Sequence, residues 1–336
     1  MLNVLFLVPR LDKASTRYRV LQYLSSLDQA GVEYEIVVLS DQPRNRLSLA
    51  RRLRAADTVF VQKKLFSFLD LFWIRMLARR LVYDFDDSVM YKSGLASSRQ
   101  QVRQWRRFAA TAGKADLIIA GNRYLQQQAL SCNREVRLLP TVLDMDRYTP
   151  REEGEDKKHE VVLGWIGSRG TLRYLQDIAP ALEELGQHWP ELKLKIVAND
   201  FFDLEHLEVI KKPWSSEEEI ADLHSFDIGL MPLADDVWTR GKCGFKLLQC
   251  MAVGLPVVCS PVGVNAEIVT EGREGFQATT QAEWVVKLST LISDAKLRRE
   301  MGLHARRLVE QEYSLAANGP LFVEYLKTVG PEKNSE

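Results

Sequence analysis

The sequence contains no run of about eighteen uncharged apolar residues, so nothing in it reads as a helix that crosses a bilayer. Its cysteines are few: Cys132, Cys243, Cys250 and Cys259 include no pair with the two-residue spacing of a zinc knuckle or a dithiol redox motif. Such scattered thiols fit a reducing cytoplasm. The opening MLNVLFLVPR has no basic segment ahead of its apolar run and no small-residue cleavage site after it. A first β-strand is therefore expected there rather than a signal peptide. Net charge is also absent, with 45 basic and 45 acidic residues.

That neutrality hides a division. Residues 1–150 carry 24 Lys and Arg against 14 Asp and Glu, and residues 151–336 carry 21 against 31. A basic half suits an anionic membrane surface, a phosphorylated lipid or nucleic acid; equally, the two halves attract each other, or the charges are simply solvated. At 336 residues, with 46% hydrophobic and 27% charged, the chain suits two globular domains.

Short apolar β-type runs at 4–8, 34–39, 58–62, 81–84 and 116–120 alternate with helical patterns, among them Tyr18–Ala30, which stops at Gly31. Met145–Glu160, with Pro150, Gly154 and a charged run, reads as a linker. The alternation then resumes, with strands at 161–166, 192–198, 228–230, 256–259 and 275–278. Helices are expected at 172–185, 244–252, 282–293, 295–312 and 320–328. The expected fold is α/β: two tandem doubly wound Rossmann-like domains with an interdomain cleft and ligands at the carboxyl ends of the strands. The expected division is 1–150, 151–317, and a C-terminal helix and tail from 318 to 336, the helix packing back on the first domain.

Five segments are candidates for chemistry. GWIGSRG at 164–170 closes a strand and opens a helix, whose free N–H groups and dipole suit a phosphate, although such glycines often serve geometry alone. In RGKCGFKLLQCMAVGLPVVCSPVG at 240–263, Lys246 sits in the first turns of a helix, where the dipole disfavours a cation. An anionic partner is expected, with Arg240, Lys242 and Lys246 on a diphosphate; the bland alternative is a solvated basic turn. Gln249, three residues on, shares that face and suits ribose hydroxyls. YDFDDS at 83–88 sets three carboxylates at a strand end, for sugar hydroxyls, a base, a metal clamp, or salt bridges to Arg17, Arg79 or Arg80. In RLDKASTRYR at 10–19, Ser15 or Thr16 is the expected N-cap, and Arg17 and Arg19 reach an anionic ligand or lie on the surface. KKLFSFLDLFWIRMLARR at 63–80 is either a core helix or one lying in a membrane interface.

Together with FDIGLMPLADD at 226–236, these C-terminal segments resemble bacterial glycosyltransferase family 4, the retaining group 1 transferases of GT-B fold. They are most similar to a subset from polysaccharide gene clusters with a Gly-Lys-Cys-x-Phe-Lys-Leu-Leu-Gln segment, here Gly241 to Gln249. YDFDDS, AGNRYL at 120–125 and PTVLD at 140–144 resemble the same subset, so the likeness spans the chain. It implies a nucleotide-diphosphate sugar as donor substrate, retention at the anomeric carbon, and no required metal or cofactor. Carried onto this chain, Asp86, Asp87 and Lys246 are catalytic candidates. Gly167, Ser168, Arg169, Arg173, Arg240, Lys242, Gly244, Phe245 and Gln249 are donor contacts, and Arg17, Arg19 and Asn122 touch acceptor or phosphate.

Three positions depart from the family pattern. Its pair of glutamates eight positions apart falls on Gly241 and Gln249; its arginine after the first C-domain glycine is Ser168, leaving Arg169 or Arg173 to substitute; its His-Asp is Asp86-Asp87. The implied function is hexosyl transfer to a glycan or polyprenyl-linked acceptor in surface polysaccharide synthesis. The implied place is the cytoplasm, at the anionic inner face of the membrane, with no nucleic-acid partner. The alternatives are a non-catalytic nucleotide-sugar-binding partner or a nicotinamide-dependent oxidoreductase, against which the spacing of Gly164, Gly167 and Gly170 counts.

Overall fold

A computed structural model describes residues 1–39, 46–91, 98–151 and 160–329. The central part of the expected linker, 152–159, and the end of the tail lie outside the described residues. The chain forms two compact units. The first comprises Met1–Val142, Arg240–Cys243 and the chain from Leu315; the second comprises Leu143–Thr239 and Gly244–Ser314.

The first unit runs β1 (Asn3–Val8), α1 (Ala14–Arg19), α2 (Leu24–Gln29), β2 (Glu33–Val38), α3 (Arg46–Ala55), β3 (Thr58–Gln62), α4 (Phe68–Leu77), β4 (Leu81–Phe85), α5 (Ser98–Lys114), β5 (Leu117–Ala120), α6 (Arg123–Leu130) and β6 (Val136–Leu138). Its parallel sheet has the order β2-β1-β3-β4-β5-β6. Both faces are covered, so the inner strands are apolar throughout instead of alternating. Leu5, Leu7, Val59 and Val61 face one core, and Val4, Phe6, Val8 and Phe60 the other. The second of these cores is closed by α14 (Leu315–Lys327), whose Phe322 ring lies 4.4 Å from Tyr23 and 5.7 Å from Phe60 between centroids.

The second unit runs β7 (Val162–Ile166), α7 (Arg169–Asp177), α8 (Ala179–His188), β8 (Lys193–Ala198), β9 (Glu208–Pro213), α9 (Glu219–His224), β10 (Ile228–Met231), α10 (Phe245–Ala252), β11 (Val257–Cys259), α11 (Asn265–Ile268), β12 (Gly275–Gln277), α12 (Gln281–Ser293) and α13 (Ala295–Glu312). Its parallel sheet has the order β12-β11-β10-β7-β8-β9. The strand order reverses between β7 and β10, and in the first sheet between β1 and β3. In open α/β sheets ligands bind outside the carboxyl ends of strands at such switch points.

The structure corrects several boundaries. The helix expected over Tyr18–Ala30 is two short helices joined by a tight turn at Leu21–Tyr23. The helix expected over 172–185 breaks at Ile178, because Pro180 is tolerated in the first turn of a new helix and not inside an old one. The helical span at 63–80 shrinks to α4, whose N-cap Ser67 accepts the Asp70 N–H at 3.2 Å. Lys13, not Ser15 or Thr16, holds the N-cap position of α1, and it makes no side-chain cap hydrogen bond; Thr16 lies inside the helix and donates its hydroxyl to Gln62 Oε1 at 2.9 Å. β6 and β9 are edge strands with no apolar run to announce them. Among the described residues no helix is long and apolar enough to cross a membrane.

Candidate functional site

In the first unit the candidates gather at the carboxyl edge of the sheet. Asp84, near the end of β4, is buried and faces Arg19. The Arg19 guanidinium contacts both carboxylate oxygens through Nε (3.1 and 3.2 Å) and one of them through Nη2. Its Nη1 donates to the carbonyls of Leu139 (2.7 Å) and Pro140 (3.0 Å). Burial pushes the Asp84 carboxyl up and opposes the charge on Arg19, but the facing carboxylate outweighs burial and raises the arginine. Every Arg19 contact here is an acceptor, as an ionised pair requires. Arg19 is therefore a structural ion pair, fully buried, and the sequence expectation of an acceptor or phosphate contact is corrected. Arg17, also on α1, is half-buried.

Lys63 follows β3 in a left-handed conformation with φ of 56°, which costs a side-chain-bearing residue about 1–3 kcal/mol. It is held there by its N–H on the Asp84 carbonyl (2.8 Å) and by Nζ at 2.8 Å from Asp86 and 3.6 Å from Asp87. Burial opposes both charges. The attraction between them wins, holding Lys63 above and Asp86 below their ordinary values. Asp87 is the more exposed of the two carboxylates. Within the segment read as a helix, Lys63 is the residue that pairs with the YDFDDS carboxylates, and periodicity could not single it out.

Lys63→Met removes the countercharge. In the native protein the depressed Asp86 contributes stability above its unfolded pKa, and this is lost as pH falls through the folded value. In the variant, burial is opposed only by the Arg19 charge and a backbone hydrogen bond, so Asp86 rises from its depressed native value, and the cost, full at neutral pH, is relieved as acid protonates it. The expected result is a loss of about 3 kcal/mol near pH 7, the lower end for a buried pair because the lysine keeps some water. Melting temperatures of the two proteins should converge towards pH 4; a gap independent of pH would refute the pairing.

Four residues from far along the chain complete this edge. Asn122 accepts the Leu125 N–H (2.8 Å) as N-cap of α6, and its amide donates to the carbonyls of Lys242 (2.9 Å) and Arg240 (3.4 Å). The Cys243 thiol donates to the Asp86 carbonyl at 3.2 Å. It sits over Gly121, where a Cβ would fall 2.6 Å from the sulfur. Gly241 is equally confined: a Cβ there would lie 1.9 Å from Ser88 Oγ and 3.0 Å from Leu125. A glutamate at 241 has no room unless Ser88 moves. Asn122, expected on acceptor or phosphate, instead anchors the 240–243 backbone. The Arg240 side chain is exposed and that of Lys242 half-buried.

In the second unit the turn after β7 lies at the switch point. Gly167 has no alternative, since a Cβ would fall 2.0 Å from the Trp165 ring. Ser168 is the N-cap of α7, and its own N–H donates to the Thr171 hydroxyl at 3.1 Å. Arg169 is exposed beside Asp200 (3.3 Å), while Arg173 donates to the Tyr174 hydroxyl at 2.7 Å and lies over that ring. Tyr174 packs with Leu233 and Val262, so the segments following β7, β10 and β11 meet at one edge.

The N-terminus of α10 reaches the same edge. Gly244 caps it with φ of 63°, a conformation that suits glycine, and lies against Ile268 of α11. Lys246 Nζ donates to Gln249 Oε1 (3.0 Å), lies 3.8 Å from Glu219, and sits over the Phe245 ring. Glu219 is buried and accepts from Tyr148 (3.1 Å) and Trp214 (3.1 Å); the Gln249 amide donates to the Tyr148 hydroxyl at 2.8 Å. Burial pushes the Lys246 pKa down and Glu219 only partly restores it. Gln249 is completely buried with its amide engaged at both ends. The expectation that it holds ribose is corrected: it aims Lys246. Glu219 and Tyr148 were missed because each lies far from the motif and reads as ordinary in its own segment. Among the described residues no cluster of three or more His, Cys, Asp or Glu forms a metal site.

Residues 162–294 match the family described as Glycosyl transferases group 1. No curated protein matches the sequence. Solved structures similar to it include Alr3699/HepE of Anabaena in complex with UDP and glucose, with a TM-score of 0.73, 15% identity, and coverage of 98% of this chain and 100% of that one. The sucrose-phosphate synthase tll1590 of Thermosynechococcus elongatus gives 0.73, 12%, 97% and 98%. A glycosyltransferase of Rickettsia africae ESF-5 gives 0.70, 13%, 99% and 99%. The fold shared with these structures is GT-B, two parallel six-stranded sheets with alternating helices.

Proposed function

We propose that this chain, whose residues 162–294 form a group 1 glycosyltransferase domain, moves a sugar with retention from a nucleotide-diphosphate donor to a glycan or polyprenyl-linked acceptor in surface polysaccharide synthesis. The observation that carries the reading is Lys246: an ammonium group at the opening turn of α10, aimed by Gln249 and drawn by the buried Glu219. It stands at the N-terminus of α10, where Gly244 lies against Ile268 of α11, at the carboxyl side of a doubly wound sheet. A cation whose charge is disfavoured by burial is completed by an arriving anion.

Breaking the anomeric C–O bond leaves positive charge on the sugar and negative charge on the diphosphate. Lys246 and the free N–H groups of α7 stabilise the latter. In this reading Gly167, Ser168, Arg169, Arg173, Gly244 and Phe245 serve as donor contacts, and Arg240 and Lys242 precede Lys246 along the chain. The acceptor attacks from the side the phosphate leaves, and the departing phosphate takes the acceptor proton. No carboxylate nucleophile is demanded, in keeping with a glycine at 241. In the first unit Asp86 is engaged by Lys63, so Asp87 is the carboxylate that orients an acceptor hydroxyl.

A thermal-shift screen against UDP, GDP, ADP and TDP tests the donor half. One nucleotide, UDP first because the Anabaena neighbour holds it, should stabilise the protein by about 2.7 kcal/mol at a hundredfold excess over Kd. Stabilisation by none of the four would remove the reading.

A further inference from the structure

We infer that α4 and α5 of the first unit form a docking surface for an anionic phospholipid bilayer. A polyprenyl-linked acceptor would be held in a membrane, and the surface rests on the proposed function only for its purpose, since its test involves no sugar or nucleotide.

A surface helix of a globular protein is apolar on one side and polar on the other. α4 is apolar on both. Its inner side buries Leu71 and Ile74. Its outer side exposes Phe68 (62%), Leu69 (82%), Phe72 (67%) and Met76 (70%). Positions 68, 72 and 76 follow the four-residue spacing of one helix face, with Leu69 beside them. The two charged residues of α4 do not relieve this, because Asp70 pairs with Arg46 and Arg75 with Asp116.

Basic side chains flank the exposed stripe. A groove of about 710 Å³ between the start of α4 and α5 is lined by Phe68, Leu69 and Val102 together with Arg99, Arg103 and Arg106. α5 carries no acidic residue, and none of these three arginines makes an ion pair with a described residue. α3, which also packs on α4, adds the exposed Arg51 and Arg54. Large apolar side chains beside unpaired arginines are the composition of a helix that lies at the headgroup boundary. The aromatic and aliphatic groups enter the acyl edge, and the guanidinium groups meet lipid phosphates. A symmetric pairing of two copies through this face would bring arginine clusters together, which disfavours self-association.

The test is sedimentation of the full chain with vesicles of phosphatidylglycerol and phosphatidylcholine, and with phosphatidylcholine alone. Binding is expected to the anionic vesicles and to weaken with salt. Leu69→Ser with Phe72→Ser should lower the partition coefficient at least about tenfold. Arg99→Gln, Arg103→Gln and Arg106→Gln together should lower it about a hundredfold, near fivefold for each charge. The arginine set is read independently, so misfolding of the α4 variant, seen by circular dichroism, leaves the test intact. Absence of binding at low salt, binding indifferent to the arginine set, or self-association abolished by Leu69→Ser would overturn the proposal.

Discussion

Lys246→Ala is expected to lower turnover about a hundredfold or more, the loss found when one pre-organised group facing developing charge is removed. The α10 N-terminus already carries a partial positive charge, and the side chain is partly withdrawn from water. Its contribution is therefore greatest when negative charge gathers on the leaving diphosphate. Lys246→Arg keeps the charge but not the Gln249 geometry, and should recover only part of the rate. Because the group must be protonated, and burial holds its pKa below the ordinary lysine value, activity should fall on the alkaline side as pH rises through that lowered value. Near-normal turnover in the alanine variant would take Lys246 out of the chemistry.

The largest stability effect is expected at Arg19. Arg19→Met leaves the Asp84 carboxylate buried without a countercharge and strips a donor from the carbonyls of Leu139 and Pro140. Breaking a buried pair from one side costs about 3–5 kcal/mol, a large share of the roughly 5–15 kcal/mol that holds a domain folded. Removing both charges with Arg19→Met and Asp84→Leu should recover much of the loss, since two apolar groups need no desolvation. Equilibrium urea unfolding of the single and double variants decides this. A single variant within about 1 kcal/mol of the parent would mean that the pair is not buried as described.

The two positions also mark how far the chain could be read without its fold. Lys246 stands out in the sequence because it contradicts a local rule, a cation at the wrong end of a helix dipole. Arg19 carries no such mark: in RLDKASTRYR it looks like its neighbours, and only the return of β4 beside α1 makes it a buried partner of Asp84. Gln249 misled in the opposite sense, since helix spacing placed it correctly beside Lys246 but could not say that Tyr148 closes its other side. The inner strands were legible because parallel strands covered on both faces are continuously apolar. β9 was not, because an edge strand reading EVIKKP buries little.

What the sequence by itself determined is the alternation of strand and helix, the glycine turn after β7 and the basic opening of α10. These rest on periodicity and local backbone chemistry, which act over a few residues. Only the tertiary structure decided that Arg240–Cys243 joins the first unit, that Glu219 stands behind Lys246, and that α4 shows its apolar side to solvent. Each of those depends on what lies opposite a side chain from a distant part of the chain, and no local pattern encodes the identity of that neighbour.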